Sequence, residues 1–187
     1  MEQTTRLVMI LLPDDQWRWC YDEGRDKLLL DLTDEMQFET AYQAKQLSPS
    51  ARQSHPFSLE DASYYFHLLE CIGELPFSEP ERVQLVLNAI AYCRFGKPTM
   101  PQSWYFKEVG LQHTQPLLGE VFSLIAEQGH GDFLVIEPGD KASVCLFLGD
   151  QLPLAEDKCL RHAAVIKVMN NRLVPFHAVC SAVLRLA

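Results

Sequence analysis

Ser78-Glu79-Pro80-Glu81-Arg82-Val83-Gln84-Leu85-Val86-Leu87-Asn88-Ala89-Ile90-Ala91-Tyr92-Cys93-Arg94-Phe95-Gly96-Lys97-Pro98 is the stretch on which the fold turns. A serine followed three positions later by glutamate is a capping box, and Pro80 sits in the first turn, where a missing N–H costs little. Val83, Leu87, Ile90 and Ala91 fall at spacings of three and four, and Leu85 and Val86 widen the stripe, so the pattern predicts a helix. Gly96 and Pro98 stop it. Upstream, Ser58 with Asp61 predicts the start of a second helix. Its apolar face reads as Ala62, Tyr65, Phe66, Leu69 and Ile72, and Gly73 and Pro76 end it.

On either side of this helical pair the texture is β. Trp17 and Trp19 are two apart and share one face of a strand, with Arg18 on the other. The turn at Asp22–Asp26, with Gly24 at its centre, leads to Lys27–Leu32, where Leu28, Leu30 and Leu32 share a face. Thr33-Asp34-Glu35 turns again before Met36-Gln37-Phe38, which completes a β-meander. Leu47–Phe57, with Pro49 and Pro56, reads as loop. After Pro101, short runs rich in Val, Ile and Phe recur at Ser103–Val109, Val121–Glu127, Asp132–Glu137, Ser143–Leu148 and Ala163–Met169. Turn residues at Gly129-His130-Gly131, Pro138-Gly139 and Gly149-Asp150 separate them, a spacing that suggests a small sandwich or barrel. The class is α+β, and two domains are expected, 1–100 and 101–187, joined near Lys97–Ser103.

Composition bounds the function. The chain has 187 residues, 48% of them apolar, which is ordinary globular composition. Sixteen Lys and Arg against 25 Asp and Glu give a net charge of −9, a field that disfavours nucleic acid as a partner. The apolar run Leu7–Leu12 is six residues, shorter than the roughly 7–15 of a secretory core or the roughly 18 of a membrane helix. A cytoplasmic protein without membrane insertion is expected. The six cysteines and six histidines show no metal-ligand spacing, so no metal or cofactor is expected, and the cysteines are expected reduced. No nucleophile elbow, phosphate loop or dinucleotide fingerprint occurs, and the chain is not expected to be an enzyme.

Three features are not absorbed by packing alone. Tryptophan suits cores and interfaces alike, core being the more frequent fate, and Trp17, Trp19 and Trp104 stand open to both readings. Lys97 is held between a helix end and a proline, where it either offsets the helix dipole or is presented to a partner. From Lys158 onward, Lys158, Arg161, Lys167, Arg172 and Arg185 occur with no acid, either a docking surface for an acidic partner or a face balanced from elsewhere.

Pro13-Asp14-Asp15-Gln16-Trp17-Arg18-Trp19, Tyr21-Asp22-Glu23 and Leu30-Asp31-Leu32 resemble the N-terminal part of the ZapC family of cell-division proteins. The resemblance continues through Leu85-Val86-Leu87-Asn88-Ala89, Lys97-Pro98, Met100-Pro101 and Ser103-Trp104. It closes with Ile166-Lys167-Val168-Met169-Asn170 and Arg172-Leu173, and is weak between about 107 and 160. It implies an N-terminal α/β domain followed by a C-terminal twisted β-barrel-like domain, each with a pocket. It also implies a monomer at the mid-cell division ring that binds FtsZ polymers, bundles them laterally, stabilises the Z-ring and slows GTP turnover. Leu30, Lys97 and Arg172 match the family's FtsZ-binding residues. Taken from its own strand, Leu30 shares the buried-looking face with Leu28 and Leu32, so its loss would act through the fold as readily as through contact. The chain departs from the family at Cys20, where an aromatic is common, and at Gln102, where a lysine is common. About eight residues precede the usual start, where Leu7–Leu12 would add a strand. The competing expectation is a small-ligand-binding or enzymatic protein with a pocket between the domains.

Overall fold

The computed structural model describes residues 11–109 and 115–176. The strand expected over Leu7–Leu12 falls for the most part outside them, as do Cys180 and Arg185.

The N-terminal meander forms as three antiparallel strands, β1 (Arg18–Asp22), β2 (Lys27–Thr33) and β3 (Met36–Glu39). A two-residue strand, β4 (His55–Pro56), adds to β1 inside the segment expected as loop, giving the order β3-β2-β1-β4. Alternation sends Trp19, Leu28, Leu30 and Leu32 into the core.

Two helices cover that face, α1 (Leu59–Cys71) and α2 (Glu79–Phe95). Both starts are as expected. The Ser58 amide donates to Asp61 Oδ2 at 2.8 Å while Ser58 Oγ accepts from the Asp61 amide at 3.1 Å. The Ser78 amide and hydroxyl both donate to Glu81 Oε2, at 2.7 and 2.6 Å. The interiors differ from the expected stripes. In α2 every residue from Leu85 to Tyr92 is buried, because a helix packed on several sides cannot stay amphipathic. In α1 the buried face is Asp61, Tyr65, Leu68 and Ile72, and Phe66 is half exposed. The rotation follows from Asp61, which turns inward to accept from Arg94 Nη1 and from Trp19 Nε1.

The C-terminal half builds a second antiparallel sheet from β5 (Val121–Ala126), β6 (Gly129–Glu137) and β7 (Ala142–Phe147). A hairpin, β8 (Gln151–Ala155) and β9 (Lys158–Arg161), stands apart from it. The sheet is completed by β10 (Val165–Met169) and β11 (Val174–Pro175), in the order β10-β7-β6-β5-β11. The fold is therefore α+β, as expected, and compatible with a barrel-like second half: among the described residues the sheet does not close, and the hairpin folds over one face. That face, with Phe133, Val135, Cys145 and Phe147, packs against Leu152, Leu154 and Leu160 of the hairpin. The opposite face, with Leu134, Ile136, Val144 and Leu146, joins the core under the helices. Burial on both faces explains why these strands read as unbroken apolar runs.

The helices thus lie between two sheets, and one continuous core includes residues from both halves of the chain. Polar pins cross the same layers: Tyr42 Oη donates to the Ala163 carbonyl at 3.1 Å, and Tyr64 Oη donates to the Ile136 carbonyl. Two local expectations change. Ser103–Val109 is a 3₁₀ turn at Ser103–Tyr105 with a single bridge from Phe106 to Ala126, since the Gln102 amide goes to the Lys167 carbonyl. The hairpin turn falls at Glu127-Gln128, and His130 pairs with Ile125 inside β6. Gly131 serves close approach, because a Cβ there would meet Phe147 at 2.7 Å.

Candidate interaction surface

Lys97 stands just beyond α2, where the chain must leave the helix tightly. A Cβ on Gly96 would meet the Tyr92 carbonyl oxygen at 2.5 Å, so only glycine fits that exit. The Lys97 amide donates to the Gln46 carbonyl at 2.9 Å, and Tyr92 Oη donates back to the Lys97 carbonyl at 3.0 Å. The ammonium group does not cap α2. It donates to the carbonyls of Ala44 and Lys45, at 3.3 and 3.1 Å, in a separate 3₁₀ turn over Ala44–Gln46. Lys97 stays exposed while two of its three donors hold that turn.

Beside it lies a cavity of about 400 Å³, lined by Tyr21, Leu47, Pro49, Ala51, Arg52 and Lys97. Two cations therefore flank a largely apolar floor. Arg52 lies 5.8 Å from the centre of the Tyr21 ring and 3.9 Å from Glu23. Tyr21 Oη donates to Asp26, whose carboxylate also accepts from the Ala44 amide at 3.1 Å. Those two bonds, the tyrosine's first, hold the Asp26 carboxyl below its ordinary value. Asp26 takes the left-handed conformation (φ 52°) that the turn needs. The arrangement suits an apolar side chain next to carboxylates.

Arg172 closes a 3₁₀ turn over Asn170–Arg172 in the other half of the chain. Its guanidinium donates to the Phe106 carbonyl at 3.3 Å and pairs with Glu108 at 3.3 Å. Asn171 Nδ2 donates to the same Glu108 carboxylate at 2.8 Å. Arg172 is accordingly a clamp on Phe106–Glu108, with a side chain 22% exposed. Leu30 is in neither place. It is fully buried, opposite Trp19 on β1 and Phe38 on β3.

The structure separates the three tryptophans, which sequence left open to core and interface alike, and adds Met100 as an exposed apolar residue that sequence did not single out. Trp17 and Trp19 are buried, whereas Trp104 is 69% exposed and Met100 is 80% exposed. For Met100 the sequence signal was the pair of prolines, Pro98 and Pro101, that stiffens this connector. Gln102, where the family resemblance implies a lysine, accepts from Lys158 Nζ at 2.9 Å, a contact that a second cation would repel.

A second cavity, of about 340 Å³, lies between the α1–α2 connection and the second sheet, lined by Leu75, Phe77, His130, Asp132 and Phe147 among others. Five cysteines among the described residues are free. Burial pushes the thiols of Cys20 and Cys93 up to about 11 and that of Cys145 up to about 12, which makes them poor thiolates at neutral pH. Among the described residues no cluster of His, Cys, Asp and Glu could hold a metal ion. None of the described helices is long and apolar enough to cross a membrane.

Comparison with known proteins places these features in a family. The model of the ZapC N-terminal region matches residues 10–97, and that of the ZapC C-terminal region matches residues 98–179. The cell division protein ZapC of Tolumonas auensis is 49% identical over 170 residues, which is 91% of this chain and 95% of the relative. That of Aeromonas hydrophila is 48% identical over 171 residues, covering 89% and 93%. That of Proteus mirabilis is 40% identical over 171 residues, covering 90% and 92%.

Proposed function

The chain belongs to the ZapC family of cell-division proteins, and from that premise we propose that it binds polymers of FtsZ, bundles them laterally and stabilises the Z-ring at mid-cell. Slower GTP turnover by FtsZ would follow from subunits held longer in the polymer. The observation that carries this reading is the match of both family models across nearly the whole chain.

The geometry supports it in a specific way. Bundling requires one molecule to touch two filaments, by two surfaces or as a dimer. In this proposal the protein acts as a monomer, and the halves 1–100 and 101–187 each carry one surface. The first is the Lys97–Arg52 cavity and the second is the strip around Arg172. Leu30 enters as a buried residue that holds β2 between Trp19 and Phe38, not as a contact.

The test is sedimentation of pre-assembled FtsZ–GTP filaments at low centrifugal force. The expected result is more FtsZ in the pellet, with this protein beside it, weakening as salt is added. A protein that stays in the supernatant, with FtsZ unmoved, overturns the proposal.

A further inference from the structure

Along β6 every second residue faces the helices. Leu134 and Ile136 are buried there in the shared core. Asp132 and His130 continue the same face into the cavity of about 340 Å³, opposite Leu75 and Phe77 of the α1–α2 connection. The row that is apolar under the helices thus turns polar where it lines this cavity.

Both walls are fixed. Ser123, itself buried, donates its hydroxyl to Asp132 Oδ1 at 2.6 Å, and the Leu148 amide donates to the Asp132 carbonyl at 2.9 Å. The other carboxylate oxygen, Oδ2, has no hydrogen-bond partner among the described residues. A Cβ on Gly131 or on Gly149 would meet the Phe147 ring at 2.7 Å, so the ring packs directly against the two glycine backbones that line the cavity. On the other side, Arg82 Nη2 donates to the Leu75 carbonyl at 2.9 Å, the Phe77 amide donates to it at 2.8 Å, and both side chains pack on the core.

The lining selects by charge. Among the described residues it holds one carboxylate and neither lysine nor arginine. A neutral guest would leave Oδ2 against apolar atoms, which is costly, and an anion would meet a like charge. The volume is at the small end of the roughly 300–1,000 Å³ typical of ligand sites.

We propose that this cavity binds a small organic cation with an apolar body, an aryl- or alkylamine, its ammonium on Asp132 and its body against Leu75, Phe77 and Phe147. The site uses no residue of the Lys97 cavity or of the Arg172 strip, so it rests on no part of the FtsZ reading. One wall comes from each half of the chain, and an occupant therefore holds the halves together and stabilises the folded protein.

Phenethylamine is the probe, with phenethyl alcohol and phenylpropionate as its neutral and anionic counterparts. Titrated into the isotopically labelled full chain, the amine should shift the amides of Gly131, Asp132 and Gly149 saturably, at about millimolar concentrations or below, and raise the thermal midpoint. The alcohol should bind about tenfold more weakly, and the anion should leave those amides unmoved. That comparison needs no variant. Asp132→Asn, which keeps an acceptor for Ser123, should weaken the amine about tenfold and leave the alcohol unchanged. Phe77→Leu, which removes a ring from the apolar wall, should weaken both. Thermal midpoints without ligand show whether each variant is folded. Shifts that fail to saturate, or that cluster away from Gly131 and Gly149, overturn the site. Alcohol binding as tightly as amine, or a folded Asp132→Asn protein binding the amine as wild type does, overturns the role of the carboxylate and with it the proposal.

Discussion

Replacing Leu30 by alanine separates a contact from a support. The side chain is fully buried, with Trp19 and Phe38 opposite it on the flanking strands. Truncation removes three carbon atoms from a packed interior and leaves a cavity that two large aromatics in a fixed sheet close poorly. Leucine-to-alanine changes of this kind cost about 2–5 kcal/mol, and a site fixed by cross-strand pairs belongs near 3. Against a total stability of about 5–15 kcal/mol, that is a substantial fraction. With a urea slope of about 2–3 kcal/mol per M, the midpoint falls by about 1 M. Co-sedimentation with FtsZ should fall in proportion to the unfolded fraction. Leu30→Met, which conserves volume, should cost less than about 1.5 kcal/mol and keep full co-sedimentation. A Leu30→Ala protein with the wild-type urea midpoint and no sedimentation would refute the argument. So would a folded Leu30→Met protein that no longer binds.

Arg94→Ala should cost about 3 kcal/mol or more, because it strands the Asp61 carboxylate, 8% exposed, with only the Trp19 indole and the Ser58 amide. Urea unfolding measures it, and a loss below about 1 kcal/mol would show that Asp61 does not set the rotation of α1. Glu81 has its carboxyl held below the ordinary value of 4.5 by the Ser78 hydroxyl and then the Ser78 amide. A depressed folded value means the contribution is present above the unfolded pKa and lost as pH falls through the folded one. The stability advantage of wild type over Glu81→Gln should therefore shrink between pH 7 and pH 3, and an advantage that grows on acidification would contradict the cap. Arg172→Ala should release Phe106–Glu108 and reduce FtsZ bundling while the thermal midpoint stays within a few degrees, and Glu108→Gln should reproduce part of the loss. Equal bundling by both variants would remove the clamp from the mechanism.

Some of this was legible in the chain and some was not, for physical reasons. The ends of α1 and α2 are written locally, in Ser58-Asp61, Ser78-Glu81, Gly96 and Pro98, so they were readable. The burial of Leu30 was readable too, since a period of two puts it beside Leu28 and Leu32. The rotation of α1 was not, because the arginine that turns Asp61 inward lies 33 residues away. The hairpin of β8 and β9 escaped notice because Pro153 interrupts its pattern and its apolar face is only Leu152, Leu154 and Leu160. Arg172 looked free because Glu108, 64 positions earlier, is brought to it only by the fold. Trp104 has the same local texture as Trp17. Among the described residues Phe57 and Tyr65 wall in Trp17, whereas Trp104 has only the ring of its neighbour Tyr105.

The continuous core bears on how two filaments would be held. If the two halves were hinged, the first contact would leave the second surface free to wander, and the second contact would carry an ordering cost. Here Leu134, Ile136, Val144 and Leu146 of the second sheet pack into the same core as Trp19, Leu30 and Leu87. Tyr42 and Tyr64 bond directly to backbone carbonyls of the second half. The proposed cavity at Lys97 and the proposed strip around Arg172 are therefore presented at a fixed mutual angle. Such a body favours filaments at one spacing and orientation, and the second contact gains from the first through effective concentration rather than through new affinity. Weakening the shared core should accordingly reduce bundling before it reduces binding to a single filament, which makes Tyr42→Phe the variant to compare with Arg172→Ala. The former removes a pin between the halves and leaves both surfaces intact, whereas the latter removes a surface and leaves the pin.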